Sequence, residues 1–268
     1  MIQPEACALF KTENYPISLA PGLSRLFLDY CAAEPGLKHF YPWMSAASSG
    51  PVWQQRPAVP AHWPELVRLL REQNSTPSAQ SSLDALAQGA GVMVTGQQVG
   101  LFGGPLFTPF KAATAVARAR QATAAGKPHV PIFWLATEDH DFPEIDHVVF
   151  PARRELRTLQ YKGAPTALRP VGGVVLEESI GPLLDEAWEL LGTSDAMDAL
   201  VAAYKPGRAF AQAFADFYQQ AFASQGLLVL DAGSRAFHKM GAPVLRAGLE
   251  QADELHAALL ERNRACCS

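Results

Sequence analysis

Two runs of residues carry groups that could perform chemistry. The first, TGQQVGLFGGP at residues 95–105, combines four glycines with two neighbouring amides. The second, ATEDHDFPEIDH at residues 136–147, holds the densest set of titratable side chains in the chain. Clustered carboxylates and histidines can transfer protons, bind amines or hold a cation. These two runs therefore define the candidate site.

The glycine run could bind a ligand through its backbone. Gly96, Gly100, Gly103 and Gly104 permit positive φ angles, which let N–H groups approach a ligand closely. An anion or a nucleotide phosphate would be a suitable ligand at the start of the following helix. The run matches neither the Walker A pattern nor the GxGxxG fingerprint. A tight strand-to-helix turn without a ligand is the equal alternative.

Three polar side chains accompany the glycines. Gln97 and Gln98 offer donors and acceptors suited to a substrate carboxylate, amide or sugar hydroxyl, and the alternative is that they only hold the loop together. Lys111 lies in the first turns of the next helix, where it could face the same ligand or lie in solvent. We assign Gly96, Gln97, Gln98 and Lys111 to substrate binding.

The acidic run offers a group for proton transfer. Neighbouring carboxylates favour the imidazolium form of His140 and burial opposes it, so this histidine could act as a general acid or base near neutral pH. Such a base would suit deprotonation of an attacking amine. Glu138, Asp139, His140 and Asp141 are therefore the candidate catalytic residues. In the alternative interpretation these acids cap the next helix.

A magnesium ion is a second interpretation of the same acids. Asp139, Asp141 and Glu144 supply carboxylates of the kind that Mg²⁺ uses while nucleotide phosphates complete its shell. A zinc site is disfavoured because no cysteine is near and the HExxH spacing is absent. We assign no residue to a dedicated metal site, and ATP with Mg²⁺ is the only candidate cofactor. Asp146 and His147 are as easily structural, with His147 on a further strand, HVVF.

Three apolar runs must position these groups. Residues 91–95, 130–136 and 226–232 are apolar throughout, as in strands that are buried on both faces of a parallel sheet. Residues 172–177 are a weaker fourth candidate. The run between the first two strands predicts a helix capped by Thr108 and stopped at Gly126. This βαβ unit predicts an α/β, Rossmann-like core, with a parallel sheet flanked by helices and ligands at the carboxyl ends of the strands.

Helices are predicted on either side of this unit. An apolar face of Leu23, Leu26, Phe27 and Tyr30 predicts an N-terminal helix that packs on the core. Further helices follow from apolar periodicity and stop signals. They cover residues 66–74, 81–89 with a serine cap at Ser82, 180–191, 208–225 and 242–264. Arg235, His238 and Lys239 follow the third strand and are weaker site candidates.

Composition limits the classes of partner. The net charge is −4 and 49% of residues are hydrophobic, which favours a folded globular protein with a small-molecule ligand over one that binds nucleic acid or an anionic membrane. No signal-peptide or membrane-spanning run is found, so we expect a cytoplasmic protein. Residues 42–64, rich in proline, serine and tryptophan, predict an ordered surface connection.

The two runs together resemble the bacillithiol biosynthesis cysteine-adding enzymes, the BshC family. TGQQVGLFGGPLFTPFKA and PIFWLATEDHDFPEIDHV carry the resemblance, and LFLDYCAAEPGLKHFYPW and FAQAFADFYQQAFASQGLLVLDA extend it over essentially the whole chain. The resemblance implies a Rossmann-like core related to nucleotidyltransferases. Family members are about twice as long, and a later coiled-coil arm makes them homodimers.

The family's activity is carried over as an expectation. The resemblance implies a ligase that joins the carboxyl group of L-cysteine to the amine of glucosaminyl malate, with the pocket at residues 96–98 and 138–141. It also implies that the Rossmann-like core is incomplete in this chain. We predict an N-terminal helical segment at 1–90, a core at 91–242 and a truncated terminal helix at 243–268. The alternatives are a non-catalytic homologue that binds a small molecule or nucleotide, and a nucleotidyltransferase acting on another small acid.

Overall fold

The computed structural model describes residues 13–41, 62–152, 154–163 and 169–267. The chain divides into two compact units, Met1–Pro57 and Ala58–Ser268. The surface connection predicted at residues 42–64 lies almost entirely outside the described residues. Within the described ranges, no helix has the length and apolar character needed to cross a membrane. The proposed division at residues 90 and 242 stays a prediction.

The first unit contains one α-helix, α1 (Arg25–Ala32), within its described residues. Ser24 caps this helix, since its hydroxyl accepts a hydrogen bond from the Phe27 N–H at 3.2 Å. The helix ends at Ala33, which adopts a left-handed conformation with φ of 55°. Short 3₁₀ turns lie on either side, at Ile17–Leu19 and Pro35–His39. That the apolar face of α1 packs on the core stays a prediction.

A parallel sheet forms the centre of the second unit. Its strands are β1 (Gly91–Gln98), β2 (His129–Ala136) and β5 (Leu228–Asp231), in the order β1-β2-β5. The three strongest strand predictions are therefore confirmed. β1 continues three residues beyond its predicted end, because Gly96, Gln97 and Gln98 still pair with β2.

Hydrophobic cores lie on both faces of this sheet, as the continuous apolar strands require. In β2, Phe133 and Leu135 point into one core, which also contains Val116 of α4 (Phe107–Ala124). Val130 and Ile132 point into the other core, with helices α2 (Trp63–Gln73) and α3 (Pro77–Ala87). The α/β, Rossmann-like class with helices flanking a parallel sheet is confirmed.

The elements between β2 and β5 mostly cover the first core, whereas the helix that follows β5 packs its start on the second. A four-residue helix, α5, leads into an antiparallel hairpin of β3 and β4, so the predicted strand at HVVF is confirmed. Three helices follow before β5, and two more follow it. Their bounds are α5 (Phe142–Ile145), β3 (His147–Pro151), β4 (Leu156–Gln160), α6 (Ile180–Leu191), α7 (Asp195–Ala203), α8 (Phe210–Ala221), α9 (Arg235–Glu250) and α10 (Ala252–Cys267).

Two predicted helix caps are wrong. The cap of α3 is Thr76, six residues before the predicted cap at Ser82, and Pro77 occupies the first position of the helix. Ser82 instead donates its hydroxyl to the Gly226 carbonyl at 2.7 Å. α4 likewise begins before Thr108, which is fully buried in its first turn. The Thr108 N–H donates to the Pro105 carbonyl at 2.8 Å, so the helix starts at the turn that follows the glycines.

Two other predictions differ from the structure. The weak strand at residues 172–177 is a 3₁₀ turn, Val171–Gly173, followed by a single bridge between Val175 and Ala209. Gly172 explains the tight local packing, since a Cβ there would lie 2.7 Å from the Thr137 Cβ. The single helix predicted at 242–264 is two helices, α9 and α10, separated at Gln251.

Candidate functional site

The two candidate runs meet at the carboxyl ends of β1 and β2. The parallel register places Gln98, the last residue of β1, opposite Ala136, the last residue of β2. The titratable residues of the acidic run begin two positions later, at Glu138, so they lie close to Gln97 and Gln98. An open α/β fold binds its ligands beyond these carboxyl ends of its strands.

Gln98 joins the two strand ends directly. Its Nε2 donates to Asp139 Oδ2 and, at 3.2 Å, to Glu144 Oε2. Asp139 Oδ1 accepts the backbone N–H groups of His140 at 2.6 Å and Asp141 at 3.2 Å. The Gln98 amide first, then these two N–H groups, hold the pKa of Asp139 below its ordinary value. Asp139 is therefore an ionised carboxylate at neutral pH, fixed at the centre of the site.

A cation lies on the other side of β1. Lys111 Nζ donates to Gln97 Oε1 at 2.7 Å, so α4 brings this lysine to the strand end. Gln97 and Gln98 are consecutive in a strand and point to opposite faces of the sheet. The strand end thus separates a cationic position from an anionic one. Within the described chain, Gln97 Nε2 and Gln98 Oε1 keep unused hydrogen-bonding capacity that a ligand could take.

His140 lies at the exposed rim of the site. Its side chain is 72% exposed, and its Nδ1 is 3.7 Å from Asp139 Oδ1. Asp141 is also exposed and precedes α5 without accepting a side-chain capping hydrogen bond. The Nε2 atom of His140 is therefore available to a substrate proton, and Asp141 contributes its backbone N–H to the cluster through Asp139 Oδ1.

Groups at the end of β5 also contact the acidic run, among them the weaker site candidate His238. Glu138 Oε1 is 3.5 Å from His238 Nε2 on α9, which links the acidic run to the region after β5. Thr137 donates its hydroxyl to Asp231 Oδ1, and the Gly233 N–H donates to Thr137 Oγ1 at 2.9 Å. Asp231 is the first polar residue at the end of an apolar strand, and this position could have identified it as a site candidate.

The glycine run does not form a phosphate cradle. The Gly103 N–H donates to Tyr204 Oη at 3.0 Å, Tyr204 Oη donates to the Gly100 carbonyl at 2.8 Å, and Tyr218 Oη donates to the Gly103 carbonyl at 2.7 Å. Burial raises the pKa of Tyr204 far above its ordinary value, so the hydroxyl remains a donor. The tight, internally bonded turn is the alternative that the structure favours. No local pattern pointed to these tyrosines.

Positive φ angles occur in only part of the glycine run. Gly103 and Gly104 have φ of 86° and 76°, but Gly100 is extended with φ of −145°. Gly96 lies inside β1 beside Trp134, where a Cβ would be 3.2 Å from the Trp134 carbonyl oxygen. Gly96 therefore permits close strand packing at the site, and its expected ligand-binding loop conformation is wrong.

The distal acids have structural partners. Asp146 is buried and accepts from Gln160 Nε2 at 2.9 Å, while His147 Nδ1 lies 3.0 Å from its other oxygen. These contacts tie α5 to the β3–β4 hairpin. Across the described ranges, no group of three or more His, Cys, Asp and Glu side chains is arranged to hold a metal ion.

Replacing Gln98 with leucine is expected to raise the pKa of Asp139 toward its ordinary value. Because the folded-state pKa lies below the unfolded value, this interaction stabilises the protein above about pH 4 and is lost as the pH falls through the folded-state pKa. The difference in stability between wild type and Gln98→Leu should therefore be present at pH 7 and absent in strong acid.

Carboxyl-carbon NMR titration of Asp139 and urea unfolding at several pH values measure both effects. Gln88→Leu, at the exposed end of α3, is the matched control and should leave the Asp139 titration unchanged. An unchanged Asp139 pKa in Gln98→Leu would contradict the Gln98 contact.

Comparison with known proteins gives the family. A family model described as Bacillithiol biosynthesis BshC, N-terminal Rossmann-like domain, matches residues 11–267. A protein named "Putative cysteine ligase BshC" from Koribacter versatilis (strain Ellin345) is 36% identical over 256 residues, covering 93% of this chain and 48% of the relative. A protein of the same name from Solibacter usitatus (strain Ellin6076) is 36% identical over 255 residues, covering 91% and 47%.

A third relative of that name, from Salinibacter ruber (strain DSM 13855 / M31), is 32% identical over 238 residues, covering 84% of this chain and 44% of the relative. The chain thus spans about half the length of the curated relatives it matches. A match over nearly the entire chain, together with a Rossmann-like sheet, shows that the chain belongs to the bacillithiol biosynthesis BshC family and corresponds to its N-terminal Rossmann-like domain.

Proposed function

We propose that this chain carries the substrate-binding wall of a cysteine ligase that joins L-cysteine to the amine of glucosaminyl malate. The observation that supports this most is the Gln98–Asp139 hydrogen bond, which holds an ionised carboxylate between the ends of β1 and β2. The names of the relatives support the reaction class. We further propose a cytoplasmic enzyme that acts as a homodimer.

The proposed roles follow from charge and position. Asp139, with Glu138 beside it, attracts the ammonium group of the sugar substrate, because an ionised carboxylate binds an amine through charge-assisted hydrogen bonds. Lys111, bonded to Gln97, attracts a substrate carboxylate on the other side of the strand end. The free amide groups of Gln97 and Gln98 orient the substrates, and Gly96 leaves the strand end uncrowded.

His140 is the proposed proton acceptor. In the neutral form, its exposed Nε2 takes one proton from the bound ammonium group, and the resulting amine nitrogen attacks the activated cysteine carbonyl. A C–N bond forms, the bond from that carbonyl carbon to its leaving oxygen breaks, and the departing group carries away the oxygen together with the second proton lost from the nitrogen. Asp139, close to His140 Nδ1, would stabilise the resulting imidazolium. Asp141 shares the acidic rim.

Activation of the carboxylate requires a further reagent, since an amide does not form readily from a free carboxylate in water. ATP with Mg²⁺ is the proposed reagent. The glycine run does not fit its phosphates, because the Gly103 N–H is bound to Tyr204. We therefore derive no step through the nucleotide from these residues.

Coupling assays test the proposal. The chain, alone and mixed with the carboxyl-terminal remainder of the Koribacter versatilis relative, is incubated with both substrates, with and without ATP and Mg²⁺, and the product is measured by mass spectrometry. We expect His140→Ala to lower the rate about 100-fold to 10,000-fold, as loss of a general base does. His256→Ala, on the exposed surface of α10, is the matched control.

Three outcomes would contradict the proposal. Unchanged turnover in His140→Ala would remove the role of that residue. Absence of product in every mixture would contradict ligase activity, and binding of glucosaminyl malate without product would support the non-catalytic binding module instead. Equal turnover of another amino acid would contradict the assignment of cysteine.

A further inference from the structure

Thr137, the first residue after β2, is enclosed by three segments of the chain and is 4% exposed. Its hydroxyl donates to Asp231 Oδ1 at the end of β5, and its Oγ1 accepts the Gly233 N–H at 2.9 Å. On the main chain, its carbonyl accepts the Gly172 N–H at 3.0 Å. One residue therefore joins the end of β2, the loop after β5 and the 3₁₀ turn at Val171–Gly173.

Two glycines make room for Thr137. A Cβ at Gly172 would lie 2.7 Å from the Thr137 Cβ, and a Cβ at Gly233 would clash with the Thr137 hydroxyl. Neither glycine has a positive φ angle, so backbone conformation does not require glycine at these two positions. What requires it is the close approach of both segments to the threonine. The contacts of Thr137 therefore depend on the absence of side chains at both neighbours.

Asp231 is oriented by the same contacts. Its Oδ1 accepts the Gly233 N–H at 3.0 Å in addition to the Thr137 hydroxyl. Its own N–H donates to Gln73 Oε1 at the end of α2, at 3.0 Å. The pairing of β5 with β2 ends at Asp231, opposite Leu135, so the carboxylate and the hydroxyl meet where two paired strands end. Asp231 is therefore held through both its main chain and its side chain.

The candidate catalytic residues, 138–141, follow Thr137 directly. The Asp139 carbonyl accepts the Val171 N–H at 2.7 Å. The 3₁₀ turn thus holds the chain at Thr137 and again two residues later, so the start of the acidic run has little freedom to move. Movement of this segment would take the Asp139 carboxylate away from Gln98, to which it is hydrogen-bonded.

We propose that Thr137 and Asp231 are positioning residues of the proposed ligase, whose hydrogen bond holds the start of the acidic run so that Asp139 and His140 face the substrate amine. The inference rests on the proposed function for the reaction, but the positioning can be tested without it. Gln98 holds the Asp139 side chain from β1, and the Thr137–Asp231 bond holds its main chain from β5. The alternative is a bond that only stabilises the fold, so that its loss lowers stability and leaves Asp139 in place.

NMR titration of the Asp139 carboxyl carbon in the 268-residue chain separates these two alternatives. Thr137→Val removes the hydroxyl and keeps the branched shape of the side chain. We expect it to raise the pKa of Asp139 toward its ordinary value, because the Gln98 amide and two backbone N–H groups, which hold that pKa down, lose their alignment. Thr137→Ser, which keeps a hydroxyl, should retain the wild-type titration.

Variants of Asp231 give a second, independent test. Asp231→Asn keeps an oxygen that accepts from Thr137 and Gly233, so it should not raise the Asp139 pKa. Asp231→Leu removes the acceptor and should raise that pKa as Thr137→Val does. The double variant of Thr137→Val and Asp231→Leu should give no further rise, since both changes remove the same interaction. Thr158→Val is the matched control, because Thr158 is exposed on β4.

The effect on the reaction is measured separately, in mixtures of the chain with the carboxyl-terminal remainder of the Koribacter versatilis relative. Thr137→Val and Asp231→Leu should lower the coupling rate about 10-fold to 100-fold, because a small displacement of reacting groups has an effect of this size. Thr137→Ser and Asp231→Asn should restore most of the rate. Absence of product in every mixture, wild type included, would contradict ligase activity, and the Asp139 titration would still decide the positioning.

Three results would overturn the proposal. An unchanged Asp139 titration in Thr137→Val and Asp231→Leu would show that their bond does not hold the acidic run. Equal pKa changes in Thr137→Ser and Thr137→Val would exclude the hydroxyl as the cause. Slower coupling in Asp231→Asn with an unchanged titration would give the Asp231 charge a direct role instead. If urea unfolding shows that Thr137→Val does not fold, Asp231→Leu decides, because it leaves Thr137 in place.

Discussion

Replacing Asn74 with leucine is expected to lower the free energy of unfolding by about 2–4 kcal/mol, since each buried backbone group left unpaired costs about 1–3 kcal/mol. Asn74 is 1% exposed, and its side chain makes the two hydrogen bonds to Val229 that a neighbouring strand would otherwise make. It also donates to the Leu70 carbonyl at 2.8 Å, which closes the end of α2. Leucine has the same branched shape and number of heavy atoms but can make none of these bonds.

Urea unfolding followed by circular dichroism measures this loss. Asn263→Leu is the matched control, because Asn263 lies on the exposed surface of α10 and its replacement should change stability by less than about 0.5 kcal/mol. If Asn74→Leu unfolds at the same urea concentration as the control, the amide does not close the β5 edge in solution.

Replacing Tyr204 with phenylalanine is expected to cost about 2–3 kcal/mol, because two buried backbone groups in the glycine run lose their partner. The Tyr204 hydroxyl accepts from the Gly103 N–H and donates to the Gly100 carbonyl, and the side chain is fully buried. The same run contains Phe102 in a left-handed conformation with φ of 50°. A non-glycine residue remains in that conformation only where its surroundings hold it.

Two measurements separate this effect from a general loss of packing. Urea unfolding gives the stability, and Tyr204→Phe should accelerate amide exchange at Gly103 more than exchange at the amides of α4. Tyr30→Phe is the control, since Tyr30 is 39% exposed on α1 and its change should stay below about 0.5 kcal/mol. Unchanged exchange at Gly103 would show that the tyrosine does not hold the loop.

The hydrogen bonds of Asn74 and Tyr204 could not be predicted from the sequence. In the sequence, Asn74 is an ordinary polar residue at the end of the helix predicted at 66–74, and Tyr204 is an aromatic residue after α7, which was not predicted. Their partners are 155 and 101 residues away along the chain, at Val229 and Gly103. Propensity and periodicity act over one or two turns of a helix or strand, so they carry no information about such pairs.

The sequence left two interpretations of the glycine run open for a related reason. The residue types allowed both a ligand-binding loop and a closed turn, because glycine permits either conformation. Two tyrosine hydroxyl groups favour the closed turn. Tyr218 of α8 donates to the Gly103 carbonyl, and Tyr204 at the end of α7 accepts the Gly103 N–H. The family resemblance could not decide this either, since it is carried by the same residues.

The sequence by itself determined the three parallel strands and the position of Gln98 and Asp139 at their ends. Strands that are apolar throughout are stable only when both of their faces are buried. Parallel strands also have their carboxyl ends on the same side of the sheet. Only the tertiary structure decided which polar groups meet there: Gln98 with Asp139, and Glu138 with His238. It also decided that Asn74 closes the outer side of β5, while no strand within the described ranges pairs with the outer side of β1, because those contacts depend on how distant segments pack.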